Sequence, residues 1–109
     1  MRFDEKKVLV TGASRGIGRA IALQFAGAGA RVAVHYQSNL EAAQATLAEL
    51  PGTGHTLCAG DVADPDATQR LVAETISELG GIDILVNNAG IFEAHPVDEV
   101  SYDDWQHHW

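Results

Sequence analysis

The sequence predicts an α/β fold built on a doubly wound parallel sheet, and three observations carry that prediction. Short runs rich in Val, Ile and Leu alternate with stretches whose apolar residues recur at helical spacing. Residues 11–18, Thr-Gly-Ala-Ser-Arg-Gly-Ile-Gly, stand where the first apolar run, Val8-Leu9-Val10, gives way to an amphipathic stretch starting at Ile17. Two more motifs, Asp61-Val62 and Asn87-Asn88-Ala89-Gly90, close later apolar runs. In an open parallel sheet covered by helices, the ligand crevice lies at the carboxyl ends of the strands, where all three motifs fall.

Each element follows from local chemistry. The first strand is expected near Lys7 to Val10. Ile17, Ile21, Phe25 and Ala28 repeat at helical spacing and predict a buried face, Ala20, Ala22 and Ala26 permit close approach, and Gly27 and Gly29 end the helix. Arg31 to Tyr36 form the second strand. Ser38 with Glu41 three residues on predicts a capping box, and Leu40, Ala43, Leu47 and Leu50 mark a helix face that Pro51-Gly52 terminates. The third strand runs from His55 to Ala59. Asp64-Pro65 predicts a helix start, because Asp accepts free amides and Pro is tolerated at the first helical position. Leu71, Val72, Ile76 and Leu79 supply its face, and Gly80-Gly81 stop it.

Ile82 to Val86 is a near-continuous apolar run of the kind that parallel strands buried on both faces show. Right-handed crossovers order the four strands 3-2-1-4, and the reversal between strands one and four opens the crevice. Four strands leave the sheet incomplete, with Ile82 to Val86 as an exposed edge. That edge predicts self-association or a partly molten state for the isolated chain.

The turn at residues 11–18 has the spacing Thr-Gly-x-x-x-Gly-x-Gly. Gly12 lets the chain fold back sharply, Gly16 lets main chain approach a pyrophosphate, and Gly18 brings the next helix close to the sheet. The opening amides of that helix then face an anion. The plainer reading of these glycines is an ordinary strand-to-helix turn, and the two later motifs decide for a phosphate site. Asp61 likewise has a plainer reading as a turn residue, and Thr11 as a packing residue.

These motifs, in this order, resemble the classical short-chain dehydrogenase/reductase family from Lys6 to Trp109. The resemblance implies that residues 1–109 are a Rossmann-type NAD(P)-binding domain, truncated before the catalytic half. Residues 10–22, Val-Thr-Gly-Ala-Ser-Arg-Gly-Ile-Gly-Arg-Ala-Ile-Ala, are most similar to 3-oxoacyl-acyl-carrier-protein reductases and related sugar dehydrogenases. The family implies that Thr11, Gly12, Ser14, Arg15, Gly16, Ile17 and Gly18 form the cofactor turn and that Tyr36 lies beside the adenosine ribose. It further implies that Asp61 bonds the adenine amino group, Val62 flanks the ring, Asn88 stabilises the central strands, and Asn87, Ala89 and Gly90 border the ribose. NADP is favoured over NAD, which remains a possible cofactor. Members that prefer NAD place an Asp where Tyr36 stands, with Gln37 and Ser38 beside it here, and Arg15 matches a cation that NADP users often carry. Gln37 stands where many of those relatives supply a second Arg.

The family reduces carbonyls with a Ser and a Tyr-x-x-x-Lys. Tyr36 is followed four residues later by Leu40 and Tyr102 by Gln106, while Ser14 and Ser101 fall in the phosphate turn and at a helix cap. The chain therefore reads as the amino-terminal part of a longer oxidoreductase, inactive by itself. The complete enzyme is expected to transfer hydride between nicotinamide and a small-molecule carbonyl or alcohol, as a homo-oligomer. The alternatives are a nucleotide-binding module without chemistry and a non-functional fragment.

Composition bounds the rest. At 109 residues and 46% hydrophobic content the chain supports one core. A net charge of −8, from 15 acidic and 7 basic residues, lacks the basic footprint that nucleic-acid or anionic-membrane binding requires. The amino terminus has no apolar core of a secretory signal, no stretch reaches the length of a membrane span, and a single Cys excludes an internal disulfide, so a cytoplasmic setting is expected. His95, His107 and His108 with Trp105 and Trp109 do not assemble a convincing metal set, and no metal is expected.

Overall fold

A computed structural model describes residues 3–88 and 93–96. Ala89, Gly90 and the helix expected near Ser101 to Trp109 lie outside the described residues. The elements in chain order are β1 (Lys7–Val10), α1 (Gly16–Gly27), β2 (Arg31–Tyr36), α2 (Leu40–Glu49), β3 (Thr56–Ala59), α3 (Pro65–Leu79), β4 (Ile84–Asn87) and β5 (Glu93–Pro96).

The sheet order is β3-β2-β1-β4-β5. The first four strands are parallel in the expected 3-2-1-4 order, with Val8 opposite both Val32 and Ile84. β5 pairs antiparallel with β4, Leu85 facing His95 in register. This corrects the expectation of an exposed edge at Ile82 to Val86. The backbone of residues 93–96 takes up the β4 groups that were expected to be unpaired, and the association argument loses its motive.

Strand alternation divides the core into two layers. Val8, Val10, Val32, Val34 and Val86 point to the side covered by α1 and α2, where they meet Ala22, Ala26, Ala43 and Leu50. Leu9, Ala33, Cys58 and Leu85 point to the other side, against Leu71, Val72 and Leu79 of α3. At their amino ends β1 and β4 are tied reciprocally: the Lys7 amide donates to Asp83 Oδ2 at 2.9 Å and the Asp83 amide to the Lys7 carbonyl at 2.7 Å.

Helix faces differ from expectation where small or hydroxylated residues win the interior. On α1 the buried stripe is Gly18, Ala22 and Ala26, spaced by four. Residues this small let the helix axis approach the strands, so Ile17, 66% exposed, is left outside the packed layer. Ile21 and Phe25 lie half-buried on the flank, Phe25 edge-on to Phe3 with ring centroids 5.1 Å apart. On α2 and α3, Thr46, Thr68 and Thr75 are buried, while Leu40 and Ile76 are exposed. Those hydroxyls carry no unmet demand, because Thr75 donates to Leu71 O within α3, Thr68 to the carbonyl of the α3 cap residue Asp64, and Thr46 to Ser14 O.

Caps show similar local detail. Asp64 caps α3 by accepting from the Asp66 amide, Pro65 follows, and Gly80 closes the helix at φ +89. For α2 the cap is Asn39, whose Oδ1 accepts from the Ala42 amide at 3.0 Å, and not Ser38. The helix starts one residue later than a capping box on Ser38 requires, which puts Glu41 in the wrong turn position for that box. We expect Asn39→Ala to lower stability by about 1 kcal/mol. Ser38→Ala should stay within about 0.5 kcal/mol of the unaltered chain. Chemical denaturation midpoints of the two variants check this.

Candidate functional site

The carboxyl ends of β1, β2, β3 and β4 converge on the turn between β1 and α1. Gly12 and Gly16 in that turn have φ +61 and +63, a region that favours glycine. A Cβ on Gly16 would meet nothing within 4 Å, so the backbone there borders open space. Gly18 is different. A Cβ there would lie 2.2 Å from the Gly12 carbonyl oxygen and 2.6 Å from Asn88 Nδ2, so α1 can begin against the turn only without a side chain at that position. Arg15, in extended conformation at the N-cap of α1, makes no side-chain capping bond. The first-turn amides of α1 are thus uncapped by Arg15, which is the arrangement that suits an anion.

Four neighbours hold the turn in place. Thr11, fully buried, donates from Oγ1 to Val86 O at 3.2 Å and receives the Asn88 amide at 2.9 Å. Asn88 Nδ2 donates to Gly12 O at 3.1 Å. Thr46 of α2 donates to Ser14 O at 3.1 Å. From β2, His35 accepts the Gly12 amide on Nδ1 at 2.9 Å, bonds Gly60 O through Nε2 at 2.7 Å, and its carbonyl accepts from the Ala13 amide.

Around this turn the expected site residues are distributed unequally. Arg15 and Ile17 are exposed and Ser14 is half-buried. Tyr36, at the end of β2, packs partly against the α1/α2 layer, and its carbonyl accepts from Gly60 N. Gln37 and Ser38 beside it are exposed, and none of the three carries a negative charge. Asp61 is exposed and folded on itself as a turn, Oδ1 accepting from the Ala63 amide at 2.9 Å, while Val62 packs partly against the α3 layer. Asn87 is 3% exposed, with Oδ1 turned toward Thr11 Oγ1 at 3.4 Å. Ala89 and Gly90 are outside the described residues.

Sequence reasoning missed His35 and Thr46. The signal for His35 was present, since a histidine inside the apolar run Arg31 to Tyr36 must find polar partners when buried. Burial lowers the His35 pKa below its ordinary value, and the Gly60 hydrogen bond opposes this only in part. Cys58 has the reverse response. Burial pushes its thiol up to about 12, with the Thr75 hydroxyl lowering it and Glu74 adding to the rise, so it is no nucleophile. Among the described residues no three His, Cys, Asp or Glu side chains gather as a metal set, and no helix is long and apolar enough to cross a membrane.

Comparison with known proteins accords with this geometry. A family model described as short chain dehydrogenase matches residues 6–108. The chain is 44% identical over 107 residues to glucose 1-dehydrogenase of Gluconobacter oxydans, covering 96% of this chain and 40% of that protein. It is 43% identical over 102 residues to 3-oxoacyl-acyl-carrier-protein reductase of Staphylococcus aureus, covering 92% of this chain and 42% of the relative. A crystal structure of a short chain dehydrogenase from Burkholderia cenocepacia, in complex with NADP, superposes with a TM-score of 0.75 at 46% identity, over 95% of this chain and 43% of that one. The chain thus spans about 40% of the length of these relatives. It belongs to the short-chain dehydrogenase family.

Proposed function

We propose that residues 1–109 form one cofactor-binding unit of an NAD(P)-dependent oxidoreductase that acts on a small-molecule carbonyl or alcohol, and that NADP is the preferred cofactor. The observation that carries the reading is the open N-terminus of α1: its N-cap residue, the exposed Arg15, makes no side-chain capping bond, and beside it the backbone of Gly16 borders open space. That cradle fits a pyrophosphate. Thr11, Gly12, Ser14, Gly16, Ile17 and Gly18 would form it, and Asp61, Val62, Asn87, Asn88, Ala89 and Gly90 would line the adenosine side. When bound, the nicotinamide supplies or accepts hydride. The chain's own part is to orient the cofactor through backbone amides and to receive its charge.

The NADP preference rests on Tyr36, Gln37 and Ser38, none of which repels a 2′-phosphate as a carboxylate there would, and on Arg15, whose planar guanidinium holds phosphate through paired hydrogen bonds. With Gln37 giving no second cation, NAD binding persists at lower affinity. The complex of the Burkholderia relative with NADP supports the same choice. A homo-oligomer in the cytoplasm is the proposed setting of the whole enzyme.

Calorimetric titration of the 109-residue chain with both cofactors tests this. Arg15→Ala should weaken NADP by about 1.5–3 kcal/mol, the range for hydrogen bonds to charged groups, and leave NAD nearly unchanged. Equal losses for the two would mean that Arg15 serves the turn and not the phosphate.

A further inference from the structure

The imidazole of His35 is the one side chain that bonds both the glycine turn and the Asp61 turn among the described residues. Its Nδ1 lies 2.9 Å from the Gly12 amide nitrogen and its Nε2 lies 2.7 Å from the Gly60 carbonyl oxygen. An amide can only donate and a carbonyl can only accept, so these partners admit a single form of the ring: neutral, with the proton on Nε2. Protonation would put an N–H on Nδ1 directly against the Gly12 N–H. The ring is 1% exposed, so water cannot take over either bond without the two turns moving apart.

We propose that His35 is a positioning residue for the cofactor crevice, its neutral ring holding the glycine turn in register with the Asp61 turn, so that proton uptake at Nδ1 lowers cofactor affinity. The inference rests on the reading of this crevice as the NADP site. Among the described residues no charged neighbour competes for control of the ring. On β3 the titratable group in the same layer is the Cys58 thiol, which stays neutral. The ionisable side chains of α3, Asp66, Arg70, Glu74 and Glu78, are all exposed, as are Asp61 and Asp64 in the turn before it. Burial depresses the His35 pKa below 6.5, so the neutral form dominates at neutral pH. The sign of the stability effect follows. The unfolded chain binds a proton at pH values where the folded chain does not, so stability is fully present above pH 6.5 and falls as pH drops toward the depressed folded value.

The test uses NADPH titrations of the 109-residue chain from pH 8 to pH 5.5, at pH values where a cooperative melt shows it folded, alongside His35→Asn. Asn places an acceptor near the position of Nδ1 and does not titrate. The 2′-phosphate of the probe itself titrates near pH 6, and the Asn variant serves as the control for that. We expect wild-type affinity to fall more steeply than that of His35→Asn toward pH 5.5, by up to about tenfold, and His35→Asn, which keeps an acceptor for Gly12 N but cannot reach the Gly60 carbonyl, to bind more weakly than wild type already at pH 8 and to show no such added slope. Nitrogen NMR of the unliganded wild type should show the Nε2–H tautomer at pH 8, and the Gly12 amide should lose protection in step with His35 protonation. Parallel binding profiles for wild type and His35→Asn would overturn the proposal, as would the Nδ1–H tautomer. Absence of NADPH binding at every pH would instead sink the proposed function. The tautomer and the Gly12 protection would then decide the positioning role alone, and the affinity clause would fall with the site.

Discussion

Gly18→Ala should destabilise the chain by about 3 kcal/mol or more, at or beyond the upper end of the usual range for overpacking. The added methyl would sit 2.2 Å from the Gly12 carbonyl oxygen and 2.9 Å from its carbon, which are backbone atoms of a turn held on three other sides. It would also lie 2.6 Å from Asn88 Nδ2, the group that satisfies that carbonyl. Relief requires moving the start of α1 away from the sheet or giving up the Asn88 bond. Gly16→Ala makes the informative comparison. There the Cβ meets open space, so only the φ of +63 is penalised, at about 1–2 kcal/mol. Urea denaturation of both variants checks the ordering. A Gly18→Ala protein within 1 kcal/mol of wild type would show that α1 recedes at little cost.

The second large effect is on catalysis. The 109-residue chain should bind cofactor and yet show no turnover with ketones, aldehydes or 3-oxoacyl thioesters. Reducing a carbonyl needs a proton donor beside the developing alkoxide, and a positioned acid contributes typically 10²–10⁴-fold. Within these residues neither Tyr36 nor Tyr102 has a lysine four positions on, and the buried Cys58 thiol stays protonated far above neutral pH. Spectrophotometric loss of NADPH with a substrate panel is the measurement. Saturable oxidation that depends on the protein would assign chemistry to residues given none here.

Strand order was legible because it rests on rules that a sequence displays directly: apolar runs at strand length, and glycine or Asp-Pro punctuation between them. The α3 start at Asp64-Pro65 and its stop at Gly80 are examples. The glycine turn was legible for the same reason. The faces of α1 were not, because periodicity weights large apolar residues, whereas close packing on the sheet selected Gly18, Ala22 and Ala26 and left Ile17 in solvent. The cap of α2 was missed because Ser38 and Asn39 are adjacent, and the register of the first turn chooses between them. β5 was missed because residues 93–96 carry no alternating apolar pattern, and the β4 backbone is what pairs them. His35 and Thr46 escaped because their partners, Gly12 and Ser14, lie 23 and 32 positions away.

The fastening of Gly12 and Thr11 by Asn88 has a bearing on when the crevice exists at all. The bonds from Asn88 to Gly12 and Thr11 span 76 and 77 positions. The glycine turn is therefore local in sequence and non-local in stability. During synthesis from the amino terminus, β1, α1 and β2 can meet while Gly12 O and Thr11 Oγ1 still lack these partners. Closing so long a loop has an entropic penalty that only the central β1–β4 pairing repays. The proposed cofactor crevice is thus assembled only at the step that joins the two halves of the sheet, and cofactor capture would report that this step has been completed.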